Sequence, residues 1–250
     1  MVKKSERIFG IRPVIEAVES GRDIEKVLMR KGSKGALMGD LRTLLRNQGI
    51  PVQYVPVEKL NRITSKNHQG VVAFLSSITY DSIEHVLPAV YEAGELPFIL
   101  VLDRITDVRN MGAIVRTAEC AGVHAILLPF RGSAMISEDA MKTSAGALNR
   151  VRICRSGNLD ESLQFLKGSG LQIVGATEKG NVGYTGVDYV MPTAIVMGSE
   201  ADGISGGLLP ILDHKARIAV KGDIASLNVS VAAGIIMFEL VRQRKDQQIV

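Results

Sequence analysis

The stretch Phe98-Ile99-Leu100-Val101-Leu102, followed by Asp103-Arg104-Ile105-Thr106-Asp107-Val108-Arg109-Asn110-Met111-Gly112, decides how the chain is read. Five apolar residues without alternation are the pattern of a strand covered on both faces, which belongs to a parallel sheet flanked by helices. The polar segment behind it opens into a helical pattern, read over Met111–Ala121, that carries Arg116. The same alternation recurs downstream. Strands are expected at Ala125–Leu128, Gln172–Ala176, Thr193–Met197 and Arg217–Val220. A last helix, from about Leu227 to Arg244, places Ala232, Ala233, Ile235, Ile236 and Leu240 on its apolar side. Strands alternating with helices predict an α/β fold with a mostly parallel sheet. Ligands of such sheets sit beyond the carboxyl ends of the strands. Three polar, glycine-bearing loops fall there: 103–112, Gly198-Ser199-Glu200-Ala201-Asp202-Gly203, and Lys221-Gly222-Asp223-Ile224-Ala225-Ser226-Leu227-Asn228.

Upstream of Phe98 the elements are shorter. A helix around Val14–Val18, a strand at Val27–Met29, a helix from Leu37 to Arg46, a strand at Val52–Val55, a helix from Pro56 to Ile63 and a strand at Val71–Leu75 make a small α/β domain. The pattern weakens between Ser76 and Pro97. The expected organisation is therefore a first domain over 1–78, a linker over 79–96 and a larger domain over 97–250. Charge divides the same way, since residues 1–78 hold 14 Lys and Arg against 7 Asp and Glu in a chain whose net charge is only +4. A basic small domain points to a polyanion, and Arg12, Arg30, Lys31, Lys34, Arg42 and Arg46 are its candidate phosphate contacts. With 4% aromatic residues and no tryptophan, shape and phosphate recognition are expected rather than stacking platforms.

Composition excludes several classes. The two cysteines, Cys120 and Cys154, give neither a disulfide framework nor a zinc spacing, and the four histidines form no ligand pair, so no metal is expected. No apolar run approaches the roughly 20 residues that cross a bilayer, and no signal core follows the charged start, so a cytoplasmic protein without membrane contact is expected. Dinucleotide and phosphate-loop glycine motifs are missing: Gly198 and Gly203 have the right spacing for the latter, but Ile204-Ser205 follows where Lys and Ser or Thr are required. No G-x-S-x-G elbow occurs.

Three segments resemble one family. Leu102 to Ala118, with Asn110 and Arg116, resembles the first motif of the SpoU/TrmH RNA 2′-O-methyltransferases; Ile195 to Gly203, with Glu200, resembles their second; Ile218 to Ala233, centred on Ser226-Leu227-Asn228-Val229-Ser230, resembles their third. In the first third, Phe9-Gly10-Ile11 and Asn67-His68-Gln69-Gly70-Val71-Val72-Ala73 resemble the small RNA-binding domain of the RlmB-like subgroup, which methylates ribosomal RNA; close relatives act on transfer RNA. The resemblance implies a SPOUT fold with a deep trefoil knot, a homodimer, and S-adenosylmethionine (AdoMet) as cofactor. By motif position it assigns Arg116, Asn110, Glu200, Ser226 and Asn228 to catalysis, and Thr177, Gly198, Ile218, Ser226 and Leu227 to the cofactor.

Physical chemistry sets the expected roles. A neutral ribose hydroxyl is a poor nucleophile, so the site must stabilise developing charge on oxygen and hold a nearby phosphate. Arg116 suits both tasks; with a pKa above about 12 it serves as a fixed charge rather than a base. Glu200 is expected to orient Arg116 or take a proton through water. Asn110 is expected to cap the helix bearing Arg116, and Ser226 and Asn228 to open the last helix. Gly198 is expected where backbone must approach a ligand closely. The competing readings are a catalytically silent RNA-binding factor on the same scaffold and a base-methylating enzyme, which the Asn110/Arg116 motif disfavours.

Overall fold

The computed structural model describes residues 7–247. Within them, residues 7–79 with 135–138 form one compact unit, and 80–134 with 139–247 form a second.

The first unit runs β1 (Arg7–Phe9), α1 (Ile11–Glu19), β2 (Ile24–Arg30), α2 (Ala36–Asn47), β3 (Val52–Val55), α3 (Val57–Ile63) and β4 (Val71–Leu75). Its sheet has the order β1-β4-β2-β3, with β4 antiparallel to both neighbours and β3 parallel to β2. The two-residue period of a strand explains why β2 is apolar throughout its middle. Val27 and Met29 pack with Val14, Val18, Met38, Leu41 and Leu45 of α1 and α2. Leu28, on the opposite face, packs with Val55, Leu60 and Val72.

The second unit runs α4 (Ile83–Glu92), β5 (Phe98–Leu102), α5 (Val108–Cys120), β6 (Ala125–Pro129), α6 (Glu138–Thr143), β7 (Arg152–Ser156), α7 (Leu159–Gly168), β8 (Gln172–Ala176), β9 (Val182–Gly183), β10 (Thr193–Met197), β11 (His214–Arg217) and α8 (Val229–Gln247). Its seven strands, in the order β7-β6-β5-β10-β8-β11-β9, are all parallel. Ile99, Val101, Ala125, Leu127, Ile173, Ala194 and Val196 face one core with Ile83, Val86, Leu87 and Val90 of α4 and Leu163 and Leu166 of α7. The alternate residues Phe98, Leu100, Leu102, Ile126, Ile195 and Met197 are equally buried, and α8, which packs on α5, lies against β8 and β10. A sheet covered on both faces is what the unbroken apolar strands required.

Two expectations change. The stretch 79–96, expected as a linker, holds α4, whose apolar face belongs to the second unit's core. Pro88 inside that helix lacks a backbone donor and is a poor helix former, which weakens the helical signal there. The strand expected at Arg217–Val220 lies instead at His214–Arg217. The apolar run Ile218-Ala219-Val220 lines a cavity rather than the sheet, and periodicity does not distinguish these two uses of apolar residues. Strand β7 is an additional element; Arg152 and Arg155 give it the polar character of a strand at the sheet's edge.

One carboxylate fastens the end of α7 to the sheet. Lys167 Nζ donates to Asp213 Oδ1 at 2.6 Å and the Ile173 amide donates to Oδ2 at 2.8 Å. Burial pulls the Asp213 carboxyl up, but these donors outweigh it and hold it below the ordinary carboxylate range. A carboxylate lowered by folding adds stability above its unfolded pKa, about 3.9, and loses it as pH falls through the folded value. Asp213→Asn is expected to lower the thermal midpoint at neutral pH, with the gap to the wild type closing in scans below about pH 4. A gap independent of pH would remove Asp213 from that role.

Candidate active site

The carboxyl ends of β8, β10 and β11 open onto one cavity of about 940 Å³. Thr177, Gly198, Ile218, Ser226 and Leu227 all line it, together with Glu200 and Asn228. Its wall is mixed: Ala176, Met197, Ala219, Val220, Ala232 and Ile236 are apolar, while Glu178, Lys179, Asp202 and Arg217 are charged. Val220 and Leu227 are 42% and 39% exposed, so the wall holds apolar side chains that nothing covers. Among the described residues, no backbone hydrogen bond ties 218–227 to a neighbouring element. Residues 219–227 are exposed, so their backbone groups are open to solvent and to whatever enters the cavity.

The loop after β10 is folded back on itself. Ser199 N donates to Gly203 O at 3.0 Å and Gly203 N to Ser199 O at 2.9 Å. A Cβ on Gly198 would overlap the backbone of Gly203 and Ile204. The glycine is therefore required by the loop's own closure, and it also lines the cavity. The loop is then clamped from β5. Asp103, 3% exposed, accepts from Ser205 N through Oδ2 at 2.6 Å and from Arg104 Nε through Oδ1 at 3.3 Å. Arg104, held at φ 59°, also donates to Asp202 Oδ2 at 3.1 Å and to Gly203 O at 3.0 Å. Neither residue stood out in the sequence, because a buried aspartate and a left-handed arginine have no spacing signature.

That clamp presents Glu200 to two amides. Asn110 Nδ2 donates to Glu200 Oε1 at 2.7 Å, Asn228 Nδ2 donates to the same oxygen at 3.0 Å, and Asn228 Nδ2 also reaches Asn110 Oδ1 at 3.1 Å. Three residues from three separate motifs thus close into one hydrogen-bonded triangle. The capping expectations are redistributed. Asp107 caps α5, accepting from Arg109 N and Asn110 N, both at 2.8 Å, so Asn110 lies inside the helix with its amide free to reach the triangle. Asn228 does cap α8: its Oδ1 accepts from Ser230 N at 2.9 Å, and its carbonyl accepts from Val231 and Ala232 N. Ser226 stands two residues earlier, exposed, and caps nothing.

Arg116 is separate from the triangle. It is exposed on α5, seven residues and about two turns from Arg109 and so on the same face of that helix. Among the described residues no ion pair joins it to Glu200; the carboxylate expected to orient it is held by amides instead. Of the expected phosphate contacts in the first unit, Arg12, Arg30, Lys31, Lys34 and Arg46 are exposed. Arg42 differs. Its guanidinium donates to Ser33 O and lies 5.9 Å from the Tyr54 ring, so it builds the turn after β2. Cys154 offers no nucleophile, because burial, reinforced by Asp81 and Glu84, pushes its thiol up to about 12. No group of three or more His, Cys, Asp or Glu among the described residues could hold a metal, and no helix there is long and apolar enough to cross a membrane.

The cavity is walled by the back-folded loop and the segment leading into α8, and comparison with known proteins identifies the family. Residues 97–238 match the model of the SpoU rRNA Methylase family, and residues 7–81 match that of RNA 2′-O ribose methyltransferase substrate binding. The chain belongs to the SpoU family of RNA methyltransferases. It is 33% identical over 244 residues to the putative TrmH family tRNA/rRNA methyltransferase YacO of Bacillus subtilis, covering 98% of both chains. It is 34% identical over 239 residues to a putative TrmH family tRNA/rRNA methyltransferase of Staphylococcus aureus, covering 96% of both. Among solved structures, the AdoMet-bound rRNA methyltransferase from Sinorhizobium meliloti matches with TM-score 0.61 and 27% identity, over 96% of this chain and 87% of that one. The A. aeolicus TrmH/SpoU tRNA modifying enzyme matches with TM-score 0.57 and 33% identity, over 66% of this chain and 86% of that one.

Asn228 carries two duties that substitution can separate. Asn228→Ala is expected to cost about 1 kcal/mol of stability through the lost cap, and Asn228→Ser to recover most of it. Both remove the amide that holds Glu200, so both are expected to slow methyl transfer. Calorimetric unfolding and a methyl-incorporation assay read the two effects; full activity in Asn228→Ser would show that the triangle does not matter to turnover.

Proposed function

We propose that this SpoU-family enzyme transfers a methyl group from AdoMet to a ribose 2′-oxygen of ribosomal RNA, using the Asn110–Glu200–Asn228 triangle and Arg116. The observation that carries the reading is the triangle itself, which joins all three family motifs and shares Glu200 and Asn228 with the lining of the 940 Å³ cavity. The cavity fits AdoMet: uncovered Val220 and Leu227 suit its apolar and aromatic parts, the exposed backbone of 219–227 can meet its polar edges, and Thr177, Gly198, Ile218 and Ser226 lie around them. The AdoMet-bound Sinorhizobium meliloti relative supports the same cofactor. Bound there, the cofactor supplies an electrophilic methyl group.

The chain's own residues handle the nucleophile. Oε1 of Glu200 is occupied by two amides, which leaves Oε2 to accept a hydrogen bond from the 2′-hydroxyl and orient it. Arg116, exposed and permanently charged, grips the phosphate beside the target ribose and stabilises charge developing on its oxygen. Ribosomal RNA is favoured over transfer RNA because the first unit is present. The rRNA methyltransferase structure matches across 96% of the chain, whereas the tRNA modifying enzyme covers 66%. The reading includes the RlmB-like subgroup, the trefoil knot, the cytoplasm as the place of action, and a homodimer. Val231 and Phe238, 51% and 47% exposed and two turns apart on α8, supply an apolar strip for a second copy.

Arg116→Ala is expected to lose methyl transfer by at least about 100-fold, the scale of removing one charge-stabilising group, while calorimetry shows AdoMet bound as in the wild type. Wild-type turnover in that variant would overturn the mechanism. Light scattering of the full chain is expected to give twice the monomer mass, and a monomer at micromolar concentration would oppose the dimer.

A further inference from the structure

The first unit contains a second cavity, of about 480 Å³, within the range of ligand pockets. Arg30 and Lys66 line it, no carboxylate does, and Val57 is its one aliphatic side chain. Its floor is a turn that is costly to build. His68 O accepts from Val71 N at 2.8 Å, and the two central residues, Gln69 at φ 50° and Gly70 at φ 80°, are both left-handed. A glutamine in that conformation persists only where its surroundings hold it there. Here Gln69 Oε1 accepts from Ile11 N at 3.2 Å, Gly70 N donates to His68 Nδ1 at 2.9 Å, and Gly70 O accepts from Arg30 N at 2.8 Å.

These bonds determine what the cavity can offer. His68, 9% exposed, accepts at Nδ1, so its Nε2–H donates to Asn61 Oδ1 at 2.8 Å. The amide oxygens of Asn61 and Gln69 are therefore both occupied within the protein. Their NH₂ groups remain, beside one guanidinium and one ammonium. Apart from Asn67, whose carboxamide both donates and accepts, the polar side-chain atoms left to the cavity are donors and cations, which select a ligand that is anionic and rich in acceptors. The exposed Arg12, Lys31 and Lys34 flank the same two segments in sequence, next to Ile11 and Arg30, and extend the positive surface.

Resting on the RNA methyltransferase reading, we propose that this cavity receives one unstacked nucleotide of the substrate RNA. Its phosphodiester lies against Arg30 and Lys66, and the acceptor atoms of its base face the amides of Asn61 and Gln69. An extruded nucleotide requires a single-stranded or looped segment, because a paired base keeps its edge inside the duplex.

The test uses the full chain and a labelled oligouridylate containing 4-thiouridine, free or annealed to its complement. Lys66→Gln and Gln69→Gly are each expected to weaken binding of the single strand about tenfold. Glycine keeps the left-handed backbone of residue 69 while removing its amide. The salt dependence should fall by about one unit in Lys66→Gln and stay unchanged in Gln69→Gly. Lys59→Gln, an exposed lysine on α3 outside the cavity, is expected to bind within about twofold of the wild type, and photocrosslinks should map to peptides containing residues 61–70. The proposal is overturned if both cavity variants bind normally, if Lys59→Gln loses as much, if the duplex binds as tightly, or if crosslinks avoid that turn. AdoMet calorimetry is a separate readout: wild-type protein that crosslinks through the turn but binds no AdoMet would sink the methyltransferase mechanism and leave the nucleotide cavity standing.

Discussion

The buried carboxylate of Asp103 is the constraint on which the second unit's site depends. It directly follows β5, and its amide donates to the carbonyl of the last residue of β10, Met197, at 2.8 Å. Its two oxygens then take the Ser205 amide and the Arg104 guanidinium, which continues to Asp202 and Gly203. A charge at 3% exposure is tolerated only when it is fully bonded. The bonds it demands are the ones that fold the loop after β10 into a fixed shape. The strain of a left-handed arginine is balanced by the same three contacts. Glu200 projects from that loop, so the position of the one carboxylate in the triangle follows from the burial of another.

Much of this was legible in the sequence where a single physical demand acts on consecutive residues. Phe98–Leu102, Gln172–Ala176, Thr193–Met197 and Val71–Leu75 are strands at the expected bounds because each is largely buried in a sheet and mostly apolar; Val52–Val55, with Gln53 and Tyr54 exposed, was legible by its alternation instead. Where two demands overlap, the pattern misleads. Ile218-Ala219-Val220 is apolar for the cavity's sake and not for a strand's, and Pro88 disguises a core helix as a linker.

The site was legible in its members but not in its bonds. Asn110, Glu200 and Asn228 could be picked out from motifs, yet their partnership depends on residues 90 and 28 positions apart meeting in space. Asp107 took the capping role assigned to Asn110, freeing that amide for Glu200. Gly198 answers to the closure of its own loop on Gly203, a demand that no spacing announces. In the first unit, Gln69 sat in a recognisable motif, but Lys66 and Asn61 carried no local pattern, and donor polarity emerges only after each amide's oxygen is accounted for.

Asn228 is both the cap of α8 and a prop of Glu200, and this shapes when the site comes into being. During synthesis, every strand of the sheet and the whole loop bearing Glu200 precede it in the chain. Until Asn228 and the first turn of α8 have left the ribosome and packed, Glu200 lacks one of its two donors and the cavity lacks the wall formed by 225–229. Domains fold as units while the chain emerges in order. A nascent chain can thus hold a nearly complete sheet and still have no assembled site, so that competence arrives late, with the helix that closes the fold.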